Sequence, residues 1–305
     1  MAQKRSVDLL GVALLVLFAA LMGLNQVVIK VVNAVFQPVF AAGLRSLGAI
    51  VCIGLLLVVQ RSRIEVQRAH ILPGLGIGLA FGVEFLCLFI ALDLSSVSRV
   101  SVIFYSMPVW LAAMAHVLLP GERLTTVKLA GLLSAFAGVA WALLARGEDA
   151  GGSILGDLLA LTAAFCWAVI VLISRGTALK TAQPKVQLMW QVVVSACLLL
   201  LVSPAFGPLV RDLQPIHIWG LGFQIVVIAT FAFVLWFWLL SVYPASSVAS
   251  FGFLSPVFGV AFGWLLLGES VGPGLLGALV LVAFGLWLSN RPAPSQPVGS
   301  GNAGD

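Results

Sequence analysis

The chain has 305 residues, of which 61% are hydrophobic and only 9% are charged. Soluble domains carry roughly 25% charged and 45–50% apolar residues, so this composition excludes an ordinary soluble domain and indicates a polytopic membrane protein. The formal net charge of +5 is therefore expected in loops on one side of a membrane, not in a nucleic-acid-binding patch.

Apolar stretches about as long as a bilayer-spanning helix, roughly 20 residues, recur along the chain. The predicted segments, numbered one to ten in chain order, are 9–32, 38–59, 71–93, 98–118, 126–145, 155–178, 186–205, 215–241, 245–267 and 272–289. The fold class is therefore predicted to be an all-α membrane protein with about ten transmembrane helices.

The two ends of the chain are expected to differ: the N-terminal apolar stretch forms a helix, and the C-terminal residues form a tail. Lys4 and Arg5 precede the first apolar stretch, as in a signal peptide, but that stretch continues from Leu9 to Ile29. It is longer than the apolar region of a signal peptide, so we expect a helix that is retained. Residues 291–305 are rich in Pro, Gly and Ser, which predicts a disordered tail.

The fourth segment is repeated in the ninth, together with the residues that follow it. The matching pairs are Ser98 and Ser246, Val100 and Val248, Pro108 and Pro256, and Glu122 and Glu269. Asp8 and Asp157 open segments one and six, each before two leucines, and a Gln-Pro pair precedes segments two and seven. The chain thus divides into two similar halves, 1–148 and 149–290, of five helices each. Because five is odd, the second half enters the membrane with opposite polarity, the inverted repeat on which many transporters build alternating access.

The distribution of basic residues predicts the orientation. When the segments are threaded in order, most of the 16 Lys and Arg residues fall on the side that holds the N-terminus. The positive-inside rule then predicts cytoplasmic N- and C-termini. Lys30 and Arg99 lie near helix ends on the opposite side and are expected to reach the interface as anchors.

Motifs that would indicate an enzyme or an ATP-driven motor are missing from the sequence. It has no phosphate loop ending in Gly-Lys-Ser or Gly-Lys-Thr, no His-Glu-x-x-His motif and no Cys/His cluster with metal-ligand spacing. The four cysteines, Cys52, Cys87, Cys166 and Cys197, lie inside apolar segments and are expected to be buried apolar side chains. We therefore predict no enzyme activity, no catalytic residue, no metal site and no cofactor.

Three polar residues at membrane depth are candidates for a site, because such groups are costly in hydrocarbon and usually face a cavity or the bundle interior. Glu84, midway along segment three, is a candidate proton-titrating group or ligand for a substrate amine, and a structural carboxylate is the alternative. Asn25 in segment one offers donors and an acceptor to a zwitterion, with inter-helix bonding as the alternative. Arg45 in segment two is interpreted as structural, paired with Glu84 or with backbone carbonyls, and carboxylate binding is the alternative.

Aromatic residues away from the predicted interfaces are candidates to contact an apolar part of a substrate. Tyr105, Trp110 and Trp167 are deeper than an interfacial belt requires, and plain packing is the alternative for each. Ser174 follows Trp167 by seven residues, so the two share a helix face, and it occupies the position in segment six that Asn25 has in segment one.

Pro108 and Pro256 predict kinks at matching places in segments four and nine. A proline kink frees carbonyl groups that can line a cavity and provides a hinge. We therefore expect hinge or gating roles for both prolines.

The doubled Ser-x-Val, Pro and Gly-Glu motif, the doubled Gln-Pro pair and the five-plus-five layout resemble the EamA-type branch of the drug/metabolite transporter superfamily. The resemblance extends from segment one to segment ten. It implies a carrier of the cytoplasmic (inner) membrane, and many members of this branch export amino acids and other metabolites. The 9 Trp and 19 Phe residues make the chain most similar to the aromatic amino-acid exporters of the branch.

We therefore expect a monomeric carrier that exports small amphipathic metabolites, amino acids in particular, by alternating access, either as a facilitator or with protons coupled through Glu84. One alternative is multidrug or cation efflux, although small multidrug carriers need a carboxylate in the first helix, where this chain offers Asn25 and Gln26. A second alternative is a channel or a non-transporting subunit, against which the near-complete repeat argues.

Overall fold

The computed structural model describes residues 7–61, 65–119, 125–144, 152–211, 213–244, 248 and 251–289. The α-helices in these ranges are α1 (Leu9–Asn33), α2 (Pro38–Val59), α3 (Ile71–Leu94), α4 (Val97–Phe104), α5 (Met107–Leu118), α6 (Thr126–Leu144), α7 (Ile154–Gly176), α8 (Pro184–Val202), α9 (Pro215–Phe223), α10 (Phe233–Val242), α11 (Leu254–Leu267) and α12 (Pro273–Ser289). An isolated antiparallel bridge between Phe36 and Val210 is the β contact found in the described ranges. The all-α fold class is confirmed.

The helices group into the ten predicted spans. In the described residues, 8 helical runs are long and apolar enough to cross a membrane, and Phe251–Leu267 and Pro273–Ser289 are shorter apolar helices. Several spans are not continuous α-helices in the described residues. Helices α4 and α5 together form segment four, a π-helix joins α9 to α10 in segment eight, and a 3₁₀ turn precedes α11 in segment nine. The predicted tail, residues 291–305, lies outside the described residues.

Side-chain caps define where several helices begin. The Asp8 carboxylate accepts a hydrogen bond from Gly11 N at 2.8 Å at the start of α1, and the Gln37 side chain accepts from Phe40 N at 2.6 Å at the start of α2. Ser96 Oγ accepts from Arg99 N at 3.2 Å at the start of α4. The first turn of a helix leaves backbone N–H groups without intrahelical partners, and each cap satisfies one of them.

Both repeated prolines lie in the first turn of a helix, where a missing N–H costs nothing. Pro108 is the second residue of α5, and the break from α4 falls at Tyr105 and Ser106. At the break, the Ile103 carbonyl accepts hydrogen bonds from both Ser106 Oγ at 2.6 Å and Ser106 N at 3.2 Å. Pro256 has the matching place in α11, directly after a 3₁₀ turn at Phe251–Phe253.

Segment eight contains a π-helix, Gln224–Ala232, that the sequence analysis did not predict. Thr230 Oγ1 donates to the Ile225 carbonyl at 2.9 Å, five residues earlier. Stretches of π-helix are rare and are frequently found at functional sites.

The two halves of the chain pack against each other along most of their helices. Helix α1 packs on α11, α2 on α8, α3 on α7 and α8, and α6 on α12. Helix α1 crosses α11 at Gly23 and Gly259, where a Cβ on Gly23 would lie 2.7 Å from the Gly259 backbone nitrogen. Small residues allow this close approach, which is how membrane helices gain contact area without a hydrophobic driving force.

The bundle has two ends, which we call the proximal end, where α1 begins at Leu9, and the distal end, where α1 ends at Asn33. At the distal end, the carboxylate of Asp157 accepts from Arg99 Nη2 at 2.7 Å, from Arg99 Nε at 3.3 Å and from Ser95 Oγ at 3.2 Å. Arg99 Nη2 also donates to the Ala142 carbonyl at 2.6 Å. Arg99 is 1% exposed and Asp157 is fully buried. We call these contacts the distal clasp, which joins α4 to α6 and α7.

The distal clasp corrects the expectation that Arg99 is an interfacial anchor, because its charge is neutralised inside the bundle by Asp157. Lys30 is also turned inward, and its Nζ donates to the carbonyl oxygens of Leu92 at 3.0 Å and Ser95 at 2.5 Å. Both side chains find acceptors within the protein, so neither needs to reach the interface.

The proximal end carries a smaller version of the same arrangement. Asp8, the repeat counterpart of Asp157, is exposed and accepts from the hydroxyl of Tyr243 at 2.6 Å. Tyr243 follows α10 as Ser95 follows α3, so each aspartate binds the residue at the end of the equivalent helix. We call this contact the proximal clasp.

Glu269 explains why the repeated motif contains both Ser-x-Val and Gly-Glu. Its carboxylate accepts from Val97 N at 2.6 Å, from Ser98 N at 2.8 Å and from Ser98 Oγ at 2.7 Å. The Gly-Glu of the second half thus caps the helix that the Ser-x-Val of the first half begins. The counterparts Glu122 and Ser246 lie outside the described residues.

Candidate functional site

A small cavity lies between α2, α3, α8 and segment eight, near the middle of these helices. Its volume is ≈ 20 Å³, which accommodates about one water molecule. Its walls combine one cation with mostly apolar side chains, namely Arg45, Ser46, Ala49, Phe81, Leu188, Val192, Ala229 and Phe233. A larger molecule can enter only if the helices separate around it.

The structure changes the expected environment of Arg45. Its guanidinium lies over the ring of Phe85, with Cζ 4.3 Å from the ring centroid. Its Nε and Nη1 atoms are inaccessible and have no hydrogen-bond partner. Within the described ranges no direct ion pair or hydrogen bond joins Arg45 to Glu84, although the two charges are close enough to interact. The expected pairing therefore takes the form of a longer-range attraction.

Glu84 and Asn25 are both buried with unused acceptors. Glu84 is 3% exposed and its Oε2 atom has no partner, and Asn25 is 8% exposed with an unpartnered Oδ1 atom. A buried polar atom without a partner costs about 1–3 kcal/mol, so such atoms usually await a ligand, a water molecule or a conformational change.

Tyr105 lies with the polar residues of α1. Its hydroxyl donates to the Met22 carbonyl at 2.8 Å, and the side chain is 6% exposed. One turn away, Ser101 Oγ donates to Gln26 Oε1 at 3.2 Å, which leaves Gln26 Nε2 without a partner. Tyr105 thus lies at the interface of α1 and α4. The Met22 carbonyl that it binds is one helical turn before Asn25 on α1.

The remaining predicted site residues lie elsewhere. Trp110 packs edge-on against Phe136 at 4.6 Å between centroids and donates from Nε1 to Ser106 Oγ at 3.2 Å. Ser174 Oγ donates to the Gln187 side chain, and Gln187 Nε2 donates to the Leu179 carbonyl at 2.8 Å. Ser174 therefore helps to stabilise the connection from α7 to α8. Trp167 is partly buried in α7. Of the residues singled out in the sequence, Arg45 lines the cavity, whereas these three residues and also Asn25, Glu84 and Tyr105 do not.

The structure adds site candidates that the sequence analysis missed. Phe81 and Phe233 provide the aromatic walls of the cavity. Gln224, the first residue of the π-helix, is fully buried, and neither Oε1 nor Nε2 has a partner. Gln224 is, like Asn25, an amide inside an apolar segment, so the same sequence pattern identifies it.

A ten-span inverted-repeat bundle with unpartnered polar groups near its middle defines a membrane transporter. The chain belongs to the EamA-like transporter family, whose model matches it twice, at residues 9–144 and 154–291. This confirms the family and the two-repeat architecture, while the proposed boundaries at 148 and 149 stay predictions.

Relatives of known name are also transporters. The chain is 25% identical over 273 residues to the "Uncharacterized transporter YoaV" of Bacillus subtilis, covering 88% of this chain and 92% of the relative. It is 28% identical over 288 residues to a "Probable amino-acid metabolite efflux pump" of Escherichia coli, covering 90% and 93%. A solved crystal structure matches with a TM-score of 0.65 over 90% of this chain and 95% of the other, and at 21% identity it supports the fold alone.

Proposed function

We propose that this transporter exports small amphipathic metabolites, including amino acids with apolar or aromatic side chains, across the cytoplasmic membrane by alternating access. The observation that carries the proposal is the cavity, where the partly buried guanidinium of Arg45 faces apolar and aromatic walls at membrane depth. The name of the Escherichia coli relative, an amino-acid metabolite efflux pump, supports the substrate class.

In this proposal the N- and C-termini are cytoplasmic, so the proximal end faces the cytoplasm. The distal clasp and Glu269 hold the distal end, and the proximal clasp, which includes the hydrogen bond from Tyr243 to Asp8, holds the proximal end. Substrate enters from the cytoplasm when the proximal end opens and leaves when the distal end opens. Pro108 and Pro256, at matching helix starts, are the proposed hinges.

The proposed roles of the polar groups follow from their unused hydrogen-bonding atoms. Glu84 Oε2 and Asn25 Oδ1 are acceptors for a substrate ammonium group, and Glu84 also offers a proton-binding group for coupling. Tyr105, which follows α4, holds that helix against α1 through its hydrogen bond to the Met22 carbonyl. Trp110 and Ser174 act by bracing neighbouring helices, and Trp167 stays a proposed substrate contact.

Counterflow in liposomes that contain the purified protein tests the proposal. Labelled phenylalanine and threonine are offered to vesicles preloaded with the unlabelled amino acid, and a nucleotide-sugar serves as the control. We expect uptake of phenylalanine well above that of empty vesicles and no uptake of the control. Equal uptake of amino acids by protein-containing and empty vesicles would reject the amino-acid substrate.

Efflux of cationic drugs is a second candidate, favoured by the unpartnered Glu84 carboxylate oxygen. Expression in a strain without its own efflux pumps distinguishes the two. Drug resistance that is lost in Glu84→Gln, without any amino-acid counterflow, would favour this second function over the first.

A further inference from the structure

Arg45 keeps hydrogen-bond donors that the protein does not use. Its Nε and Nη1 atoms are inaccessible and have no acceptor, and the Phe85 ring covers one face of the guanidinium at 4.3 Å. The side chain also forms part of the cavity wall. Because arginine stays charged in proteins, Arg45 places a cation beside a cavity inside a membrane-spanning bundle, and no described residue provides a direct counter-ion for it.

Arg99 shows how the same chain treats an arginine that holds helices together. Its guanidinium makes two contacts with the Asp157 carboxylate, at 2.7 and 3.3 Å, and a third with the Ala142 carbonyl at 2.6 Å. A structural arginine in this bundle therefore receives a carboxylate and a carbonyl. Arg45 receives an aromatic face and a more distant carboxylate, Glu84.

The other residues that line the cavity provide no charged acceptor for the Nε and Nη1 donors of Arg45. Apart from the hydroxyl of Ser46, which is hydrogen-bonded with Ser195 at 3.0 Å, they are apolar side chains. Phe81 and Phe233 are the largest of them. The missing acceptor is therefore expected from a ligand, and the surroundings fit a ligand whose remaining surface is apolar or aromatic.

We propose that Arg45 binds the carboxylate of the transported substrate and thereby restricts the carrier to carboxylates with an apolar or aromatic side chain. This replaces the purely structural role expected from the sequence. The inference rests on the proposed function and names the chemical group by which the site selects its substrate. The bundle widens around Arg45 to admit the ligand, since the cavity of ≈ 20 Å³ holds about one water molecule.

Four related probes test the proposal on the purified full-length protein. Phenylalanine and phenylpropionate carry the carboxylate, whereas phenylalaninamide and phenethylamine lack it and keep the aromatic ring. Binding is measured for the unaltered protein, for Arg45→Gln, for Arg45→Lys, and for Arg68→Gln, which removes the same charge at an exposed site. Counterflow of phenylalanine is measured alongside.

We expect the unaltered protein and Arg68→Gln to bind phenylalanine and phenylpropionate more tightly than the two probes that lack a carboxylate. In Arg45→Gln the Kd for the carboxylates rises by about 10- to 100-fold, the size of one lost charge-assisted hydrogen bond or two, while the Kd for phenylalaninamide is unchanged. Arg45→Lys keeps the positive charge, so its Kd for the carboxylates should rise less than that of Arg45→Gln. These results together support a carboxylate site.

Two other outcomes have separate meanings. If the unaltered protein transports phenylalanine and both Arg45 variants keep its preference for carboxylates, the inference is wrong and the proposed function stands. If the unaltered protein neither binds nor transports any of the probes, the proposed function itself is rejected, and the inference with it. Should Arg45→Gln fail to fold, Arg45→Met removes the same cation and takes its place: if Arg45→Met keeps the preference for carboxylates, the inference is wrong.

Discussion

The distal clasp and the central cavity use the same kinds of side chain in opposite ways. At the distal clasp, a fully buried aspartate lies between an arginine and a serine, and all three side chains are hydrogen-bonded. In the described part of the chain, Arg45 on the cavity wall keeps buried atoms without partners, and so do Glu84 and Gln224 elsewhere in the membrane-spanning segments. The difference separates groups that hold helices together from groups that stay available to a ligand. Substitutions should therefore change stability at the first place and substrate binding at the second.

The largest expected loss of stability follows Asp157→Ala. The substitution leaves the charge of Arg99 buried without its counter-ion, which costs about 3–5 kcal/mol in comparable buried pairs. Unfolding of the purified protein by denaturant measures the loss. The double variant with Arg99→Met should recover most of it, since the uncompensated charge is then gone. A loss that the double variant does not recover would contradict the pairing.

A smaller loss is expected for Glu269→Ala. It removes three hydrogen bonds to a carboxylate at the start of α4, worth about 1.5–3 kcal/mol together because they share one anion. Glu269→Gln should keep part of this, because an amide oxygen still accepts from Val97 N or Ser98 N. Equal stability of Glu269→Ala and the unaltered protein would show that the cap does not hold the distal end.

The sequence predicted the spans and the repeat well, because both follow from apolar length and local motif identity. Pro108 predicted a kink in segment four, and the helix is interrupted beside it, at Tyr105 and Ser106. The π-helix from Gln224 was not predicted, since it depends on how neighbouring groups satisfy the backbone. Arg99 was misjudged for a related reason. Its partner Asp157 lies 58 residues away, and only the packing of α4 on α7 brings them together.

The candidate site was predicted less well than the fold. Burial of Asn25 and Glu84 agrees with their expected depth, but helix rotation decides which aromatic residues face the cavity. Phe81 and Phe233 face the cavity. Nothing in the sequence distinguishes these two from the rest of the 19 phenylalanines.

At the proximal clasp the expected loss is smaller again. Asp8→Ala removes an exposed helix cap and the hydrogen bond from Tyr243, so we expect about 1 kcal/mol. Tyr243→Phe, which removes the hydroxyl alone, is the matched variant and should cost less. If Asp8→Ala lowers the stability as much as Asp157→Ala does, the two clasps contribute equally to stability and the expected difference between them is wrong.

The smallest effect on stability is expected for Gln224→Leu. The buried amide of Gln224 has no partner to lose, so an apolar side chain of similar size should be neutral or slightly stabilising, within about 1 kcal/mol. Phenylalanine counterflow should nevertheless fall if the amide contacts the substrate. A clear loss of stability with unchanged counterflow would identify Gln224 as a structural residue.

The most direct test of the contrast compares Arg45→Met with Arg99→Met in the absence of substrate, by thermal unfolding of the purified protein. We expect opposite results: the Arg45 variant unfolds at the same or a higher temperature, and the Arg99 variant at a clearly lower one. Arg99 leaves behind a buried aspartate that it contacts directly, whereas Arg45 has only a longer-range attraction to Glu84. If both variants unfold at equally lowered temperatures, Arg45 is a structural residue like Arg99, and the distinction between clasp and cavity is contradicted.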